Sequence, residues 1–262
     1  LDEKLCADGW VSVGINNSGD IAGWYYPAAD NPLAGFLRSF LYIEGVGFFD
    51  IGTLGGDLAW AEGINKGTNG LVQVVGSSRR TDGDSGAFRY TYIDGVNDIW
   101  EDLGTLEDKK AFGEQAYAIN DAGQVAGRVR LKGWVHPFRY TDGVGMEDLG
   151  PPKSQYGEAF GINNPGDVAG RSEGHAFRYA DGVGMQDLNY LTGLPLTVAR
   201  GINDAGQIIA EAYLDAADLS YLLTPNPPPG ACPAVCISSP GDRDTFPDGA
   251  STPILFEGTA TD

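Results

Sequence analysis

The residues best suited to chemistry in this chain come in series. Asp50, Asp102, Asp148 and Asp187 each precede an Ile or Leu at the close of a short segment. Arg89, Arg139 and Arg178 each stand between two aromatics as Phe-Arg-Tyr. Carboxylates gathered around one axis are the equipment of glycoside hydrolysis, where one acts as acid and another as base or nucleophile. The repetition argues against that use. A catalytic set needs different residues at unique places, whereas this Asp recurs in every full unit. A structural ion pair between the Asp and Arg series, within or between units, accounts for the recurrence better.

Other chemistries find less support. Asp82 and Asp84, or Asp242, Asp244 and Asp248, offer oxygen ligands without the spacing of a calcium loop. No nucleophile motif, phosphate-cradling glycine loop or Cys/His pair is present. A structural zinc needs four ligands, and Cys6, Cys232, Cys236, His136 and His175 do not cluster along the chain. In an oxidising compartment one disulfide is expected, with one Cys left over. Cys6 with Cys232 or Cys236 would tie the chain's ends together, and Cys232 with Cys236 would pinch a Pro-rich stretch. Both pairings stay open. No catalytic residue, metal or cofactor is assigned.

The elements that hold these residues are repeats. The cleanest unit runs from Glu158 to Leu188. An apolar run ends in Gly161-Ile162-Asn163, a turn closes on Gly166, and Val168-Ala169-Gly170 follows. Then His175-Ala176-Phe177-Arg178-Tyr179 passes through a Gly-rich turn to Met185-Gln186-Asp187-Leu188. Asn supplies a turn acceptor and Gly the positive φ, so each unit reads as four short strands joined by tight turns. The Asn of this motif recurs as Asn16, Asn65, Asn120, Asn163 and Asn203, and it reads as a turn residue. A period of roughly 40 to 50 residues with four strands is the size of a propeller blade.

The expectation is therefore an all-β chain whose residues 1–225 form a five-bladed β-propeller of four-stranded blades. The fifth unit lacks a fourth strand, because Pro225-Asn226-Pro227-Pro228-Pro229 cannot continue a sheet. Leu1 to Cys6 is expected to close the ring in its place. Residues 226–236 read as a Pro-rich linker and 237–262 as a short β tail.

Two of the four connections in each unit are monotonous turns. The others, between strands two and three and between units, vary in length and collect Trp24, Tyr25, Tyr26, Trp60, Trp134, His136 and Tyr156. Variable loops on a rigid scaffold are where binding residues concentrate, and Trp and Tyr give contact area with a polar handle. The alternative role for these rings is to cover sheet edges.

The chain has 262 residues, 42% hydrophobic and 20% charged, with 39 Gly and 15 Pro. That composition is globular and dense in turns. A formal net charge of −19 argues against nucleic acid, which needs a basic surface. No apolar stretch is long enough to span a membrane. The chain opens at Leu1 without an apolar leader, so any signal peptide is expected either to have been removed or never to have been part of this sequence.

The recurring order Gly-Ile-Asn-x-x-Gly-x-Val-Ala-Gly, then His175-Ala176-Phe177-Arg178-Tyr179, with Phe49-Asp50-Ile51-Gly52-Thr53-Leu54-Gly55-Gly56, resembles the extracellular HAF-repeat family over residues 10–223. The resemblance implies a secreted or surface-exposed bacterial-type repeat protein and no defined catalysis. Ile237 to Asp262 resembles the first strands of a bacterial immunoglobulin-like module. These strands are too few for a sandwich, so they are expected to pair with a continuation of the module or with an adjacent copy. The resulting expectation is a non-enzymatic extracellular binding or structural module in a cell-surface or filament assembly. Its partner would be a protein or a glycan, with self-assembly through the tail. A glycan-binding lectin or a glycoside hydrolase is the alternative.

Overall fold

Each sequence unit folds as one antiparallel meander. The computed structural model describes residues 9–27, 31–33, 35–106, 113–151, 154–214, 217–225 and 236–237. The first sheet holds β1 (Trp10–Ile15), β2 (Ile21–Tyr25), β3 (Arg38–Ile43) and β4 (Gly47–Gly52). The second holds β5 (Gly55–Lys66), β6 (Val72–Arg80), β7 (Ser85–Tyr92) and β8 (Ile99–Asp102). The third holds β9 (Gln115–Ile119), β10 (Val125–Leu131), β11 (Trp134–Thr141) and β12 (Gly145–Asp148). The fourth holds β13 (Gly157–Ile162), β14 (Val168–Ser172), β15 (His175–Ala180) and β16 (Gly184–Asp187). A one-turn helix, α1 (Leu188–Thr192), leads to the fifth, with β17 (Leu196–Ile202), β18 (Ile208–Leu214), β19 (Ala217–Leu223) and β20 (Cys236–Ile237).

The chain is thus all-β, with five four-stranded sheets. One expectation is corrected at the fifth. Its fourth position is filled from beyond the Pro-rich stretch, where β20 pairs with β19 through Ser220–Ile237 and Tyr221–Cys236. The expected closing strand, Leu1–Cys6, lies outside the described residues. The cysteine pairing and the tail beyond Ile237 lie outside the described residues, as do Cys6, Cys232 and the side chain of Cys236.

The sheets stack face to face, with a core between each consecutive pair. Ala22, Leu41 and Ile51 meet Val74 and Phe88 between the first and second. Val75 and Leu103 meet Val125 and Phe138 between the second and third. Ala126 and Leu149 meet Val168 and Phe177 between the third and fourth. Ala169 and Leu188 meet Ile208 and Tyr221 between the fourth and fifth. Strand alternation explains the pattern, since odd and even positions serve opposite neighbours.

The Asn series joins the stack. Each Asn accepts from its own turn, as Asn16 Oδ1 does from Ser18 N and Asp20 N at 2.9 and 3.0 Å. Its Nδ2 also donates to the next sheet: Asn16 to the Asn65 carbonyl (3.2 Å), Asn65 to Asn120 (2.6 Å), Asn120 to Asn163 (2.9 Å) and Asn163 to Asn203 (3.0 Å). The residue that shapes the turn therefore also sets the stagger between sheets. Among the described residues no helix is long and apolar enough to cross a membrane.

Candidate functional site

The Asp and Arg series are both paired, but not with each other. Asp50 takes Arg38 (2.9 Å), Asp102 takes Arg80 (2.5 Å), Asp148 takes His136 (3.0 Å) and Asp187 takes His175 (2.8 Å). Arg38, His136 and His175 each stand two residues before the Phe that pairs with the Asp across the ladder. The second sheet has Gly86 there, and Arg80 fills the vacated space: a Cβ on Gly86 would lie 2.4 Å from its guanidinium. Each Asp also accepts the backbone N–H two residues on, from Gly52, Gly104, Gly150 and Asn189. Burial alone would raise the Asp50, Asp102 and Asp187 carboxyls, yet these hydrogen bonds hold them below the usual range. The series therefore locks the chain's exit from each fourth strand.

The Arg series bridges forward. Arg89 binds Glu101 on its own sheet (2.7 Å), and Asp142 (2.7 Å) and the Gly123 carbonyl (2.9 Å) on the next. Arg139 repeats this with Glu147, Asp181 and the Gly166 carbonyl. Arg178 stays at home on Asp167 (2.6 Å) and Gln186.

The loop-end aromatics are distributed over the first four sheets and their connections. Trp24 and Tyr26 meet edge to face on the first sheet. Tyr25 donates to Asp50 at 2.9 Å, and half-buried Trp60 lies opposite Ser77. Trp134 and His136 share a cleft of about 340 Å³ with Lys132, Asp148, Ser154 and Gln155. Tyr156 is not among the residues lining this cleft and lies under Arg171, 5.0 Å from the ring centroid. Among the described residues no three His, Cys, Asp or Glu groups gather as metal ligands.

A different set does converge. The first strands β1, β5, β9, β13 and β17 neighbour one another in succession, and each carries a bulge immediately before its Gly-Ile-Asn or Ala-Ile-Asn. A bulge re-aims the extra side chain out of the ladder and is common beside functional sites. The extra residues are Val13, which packs against the core between the first and second sheets, and Glu62, Tyr117, Phe160 and Arg200. No two are alike, although the residues that follow them repeat.

Tyr117 and Phe160 lie ring to ring at 5.2 Å, and the Arg200 guanidinium stands 5.5 Å from the Phe160 centroid. Arg171 covers Phe160 from another side at 5.8 Å. Beneath the row, Glu158 is nearly fully buried. It accepts Arg171 (2.6 Å), Arg128 (2.8 Å) and the Tyr117 hydroxyl (3.2 Å). Burial pushes Glu158 up, but the two arginines outweigh it and hold the carboxyl below its usual value. Glu62 is the opposite case. It is half-buried, no hydrogen bond to it is found among the described residues, and burial pushes it up. Burial likewise raises the Tyr117 phenol. The row is thus an aromatic floor between a carboxyl whose pKa burial raises and an arginine whose exposed guanidinium is held by Glu211 at 2.9 Å.

A folded pKa above the unfolded one means that the charged form of Glu62 costs stability at neutral pH, a cost that fades below the unfolded value. Glu62→Gln is therefore expected to raise the melting temperature at pH 7 and to leave it unchanged near pH 4. A lower melting temperature at pH 7 would show that the carboxylate serves the fold instead.

No family model matches the chain, and no curated protein matches it. Sequence reasoning missed the row because it weighs residues that recur and aromatics on variable loops. The signal was present: the position before Gly-Ile-Asn or Ala-Ile-Asn is occupied by five different residues inside a frame that otherwise repeats.

Proposed function

We propose that this chain is an extracellular glycan-binding module of the HAF-repeat type. Its five sheets are propeller-type blades that follow one another about a common line of first strands, in an arc that, among the described residues, leaves the outer faces of the first and fifth blades free. The ligand lies along Glu62, Tyr117, Phe160 and Arg200. The observation that carries this reading is the contact between unlike, half-exposed side chains from successive sheets within a repeating frame. A sugar ring offers an apolar C–H face to stacked aromatics, and its hydroxyls need donors and acceptors at the edges. The arginines Arg128, Arg171 and Arg200 are balanced by Glu62, Glu158 and Glu211, which suits an uncharged sugar. The motif resemblance and the net charge of −19 support an extracellular setting.

One observation favours a second reading, glycoside hydrolysis: Glu62 and Glu158 flank Tyr117 with protonation tendencies pushed apart, as an acid and a base require. Against it, Glu158 is 3% exposed and both of its oxygens are already engaged. A glycan array with a parallel hydrolase panel separates the readings. Binding of a defined glycan, lost in Tyr117→Ala and without product release, is expected. Turnover that disappears in both Glu62→Gln and Glu158→Gln would favour the hydrolase, and neither binding nor turnover would end both.

A further inference from the structure

Among the described residues the stacking of sheets has four filled junctions and an open face at each end. At the filled junctions the residue after the turn's Val or Ile is sealed against the next sheet: Ala22, Val75, Ala126 and Ala169 are all 0% exposed. Its counterpart on the fifth sheet is Ile209, which is 53% exposed. The glycines before Ile-Asn tell the same story. A Cβ on Gly14, Gly63 or Gly161 would come within 3.0 Å of the following sheet, whereas on Gly201 it would meet only Ile209 of its own sheet, at 3.6 Å or more.

The hydrogen bonds stop at the same place. Asn203 Nδ2 donates to its own Gln207 (2.8 Å), as Asn120 does to Gln124. The second donation, which the other four Asn make to the next sheet, is not found for Asn203 among the described residues. Asp121 N donates to Asn164 Oδ1 and Asn164 N to Asp204 Oδ1. No such acceptor is found for Asp204 N among the described residues.

The opposite end of the stack presents the complement. The Asn16 carbonyl accepts Gly19 N at 3.1 Å, just as the Asn163 carbonyl accepts Gly166 N at 3.0 Å. The Asn163 carbonyl also receives Asn120 from the preceding sheet, and Asn16 has the same second lone pair to offer. Asn17 stands where Asn164 and Asp204 stand and carries a side-chain oxygen. Ile15, on this face, is 69% exposed, while its fourth-sheet counterpart Ile162 is 8% exposed. One end therefore offers Asn203 and Asp204 donors beside Ile209. The other offers Asn16 and Asn17 acceptors beside Ile15.

We propose that the outer face of the fifth sheet docks the first-sheet face of a second copy of this chain. The contact reproduces the four junctions inside each copy and runs head to tail. The argument for this occupant is continuity. The same register of Asn donor, carbonyl acceptor and apolar contact that joins the sheets within the chain is presented at the two ends with opposite polarity and, among the described residues, unfilled. Because the two surfaces differ, the contact is heterologous and extends into an open series unless its rotation closes a ring.

Analytical ultracentrifugation of the full chain tests this with two variants, Ile209→Asp and Ile15→Asp, each at an exposed position where the fold tolerates charge. The wild-type chain is expected to sediment as species that grow with concentration. Each variant alone is expected to stay at the mass of one chain, because one of its ends is blocked. Mixed together, the two variants are expected to form a species of two chains and no larger, since one competent head meets one competent tail. Wild-type chain that remains single at high concentration, through closure of its own ends or otherwise, would overturn the proposal. So would a mixture that fails to pair, which would indicate a symmetric contact.

Discussion

Gly127→Ala is expected to cost the protein more than any surface change, at or above the top of the roughly 1–3 kcal/mol seen when a packed core is overfilled. A Cβ at Gly127 would sit 2.0 Å from the Gln115 carbonyl oxygen and 2.7 Å from the Phe138 ring. The first obstacle is backbone of the paired strand, and the second is a fully buried side chain that anchors the core between the second and third sheets. Neither can step aside. Gly23, Gly76 and Gly170 meet the same carbonyl and, at Gly23 and Gly170, the same ring, which is why Val-Ala-Gly recurs. The fifth sheet has Ala210 in this slot. There β17 carries an additional register shift between Leu196 and Val198, and Tyr221 replaces the Phe. Urea unfolding of Gly127→Ala measures the effect, and a loss under about 1 kcal/mol would contradict this packing account.

Glu158→Gln is expected to cost a comparable amount. It removes the charge that Arg128 and Arg171 share, while Tyr117 keeps only part of its partner. Losing one member of a buried pair costs about 3–5 kcal/mol, and solvent access to the two arginines places this case toward the lower figure. The pH dependence follows from the sign of the shift. The Glu158 carboxyl is lower in the fold than in the unfolded chain. Its contribution is present above the unfolded value of about 4.3 and is lost as the pH falls through the folded value. Wild-type protein should therefore lose stability steeply on acidification below that point, and Glu158→Gln should show a shallower fall. Parallel slopes would mean that the carboxylate is not held by the arginines.

Much of the scaffold was legible in the sequence because it rests on turn chemistry and alternation. Asn163 to Gly166 reads as a turn from its residue types alone, and Phe177-Arg178-Tyr179 reads as a strand with its Arg on one side. The number of sheets and their four-strand meander follow from counting such signals. The partners of the charged residues were not legible. Arg89 looks as if it belongs with Asp102, yet Asp102 is taken by Arg80, which enters through the gap left by Gly86. That exchange depends on which residue of a neighbouring strand is absent, and linear spacing does not display it. The source of the fifth sheet's last strand was hidden for a related reason. The Pro-rich stretch ends a strand locally but says nothing about where the chain rejoins the sheet. The candidate site was hidden because a bulge, which depends on pairing register, decides that Phe160 points out of the ladder while Phe177 points into the core.

That contrast supplies the most direct test. Phe160 and Phe177 are the same residue in the same sheet, one at a non-repeating position and one at a repeating position. Phe177→Ala should lose about 3–5 kcal/mol of stability while the folded fraction keeps its glycan affinity. Phe160→Ala should unfold within about 1 kcal/mol of wild type and lose glycan binding. Calorimetric titration and urea unfolding of the two variants side by side give both quantities. If Phe160→Ala binds as wild type does, or if its stability falls as far as that of Phe177→Ala, the non-repeating row belongs to the core and the binding account is wrong.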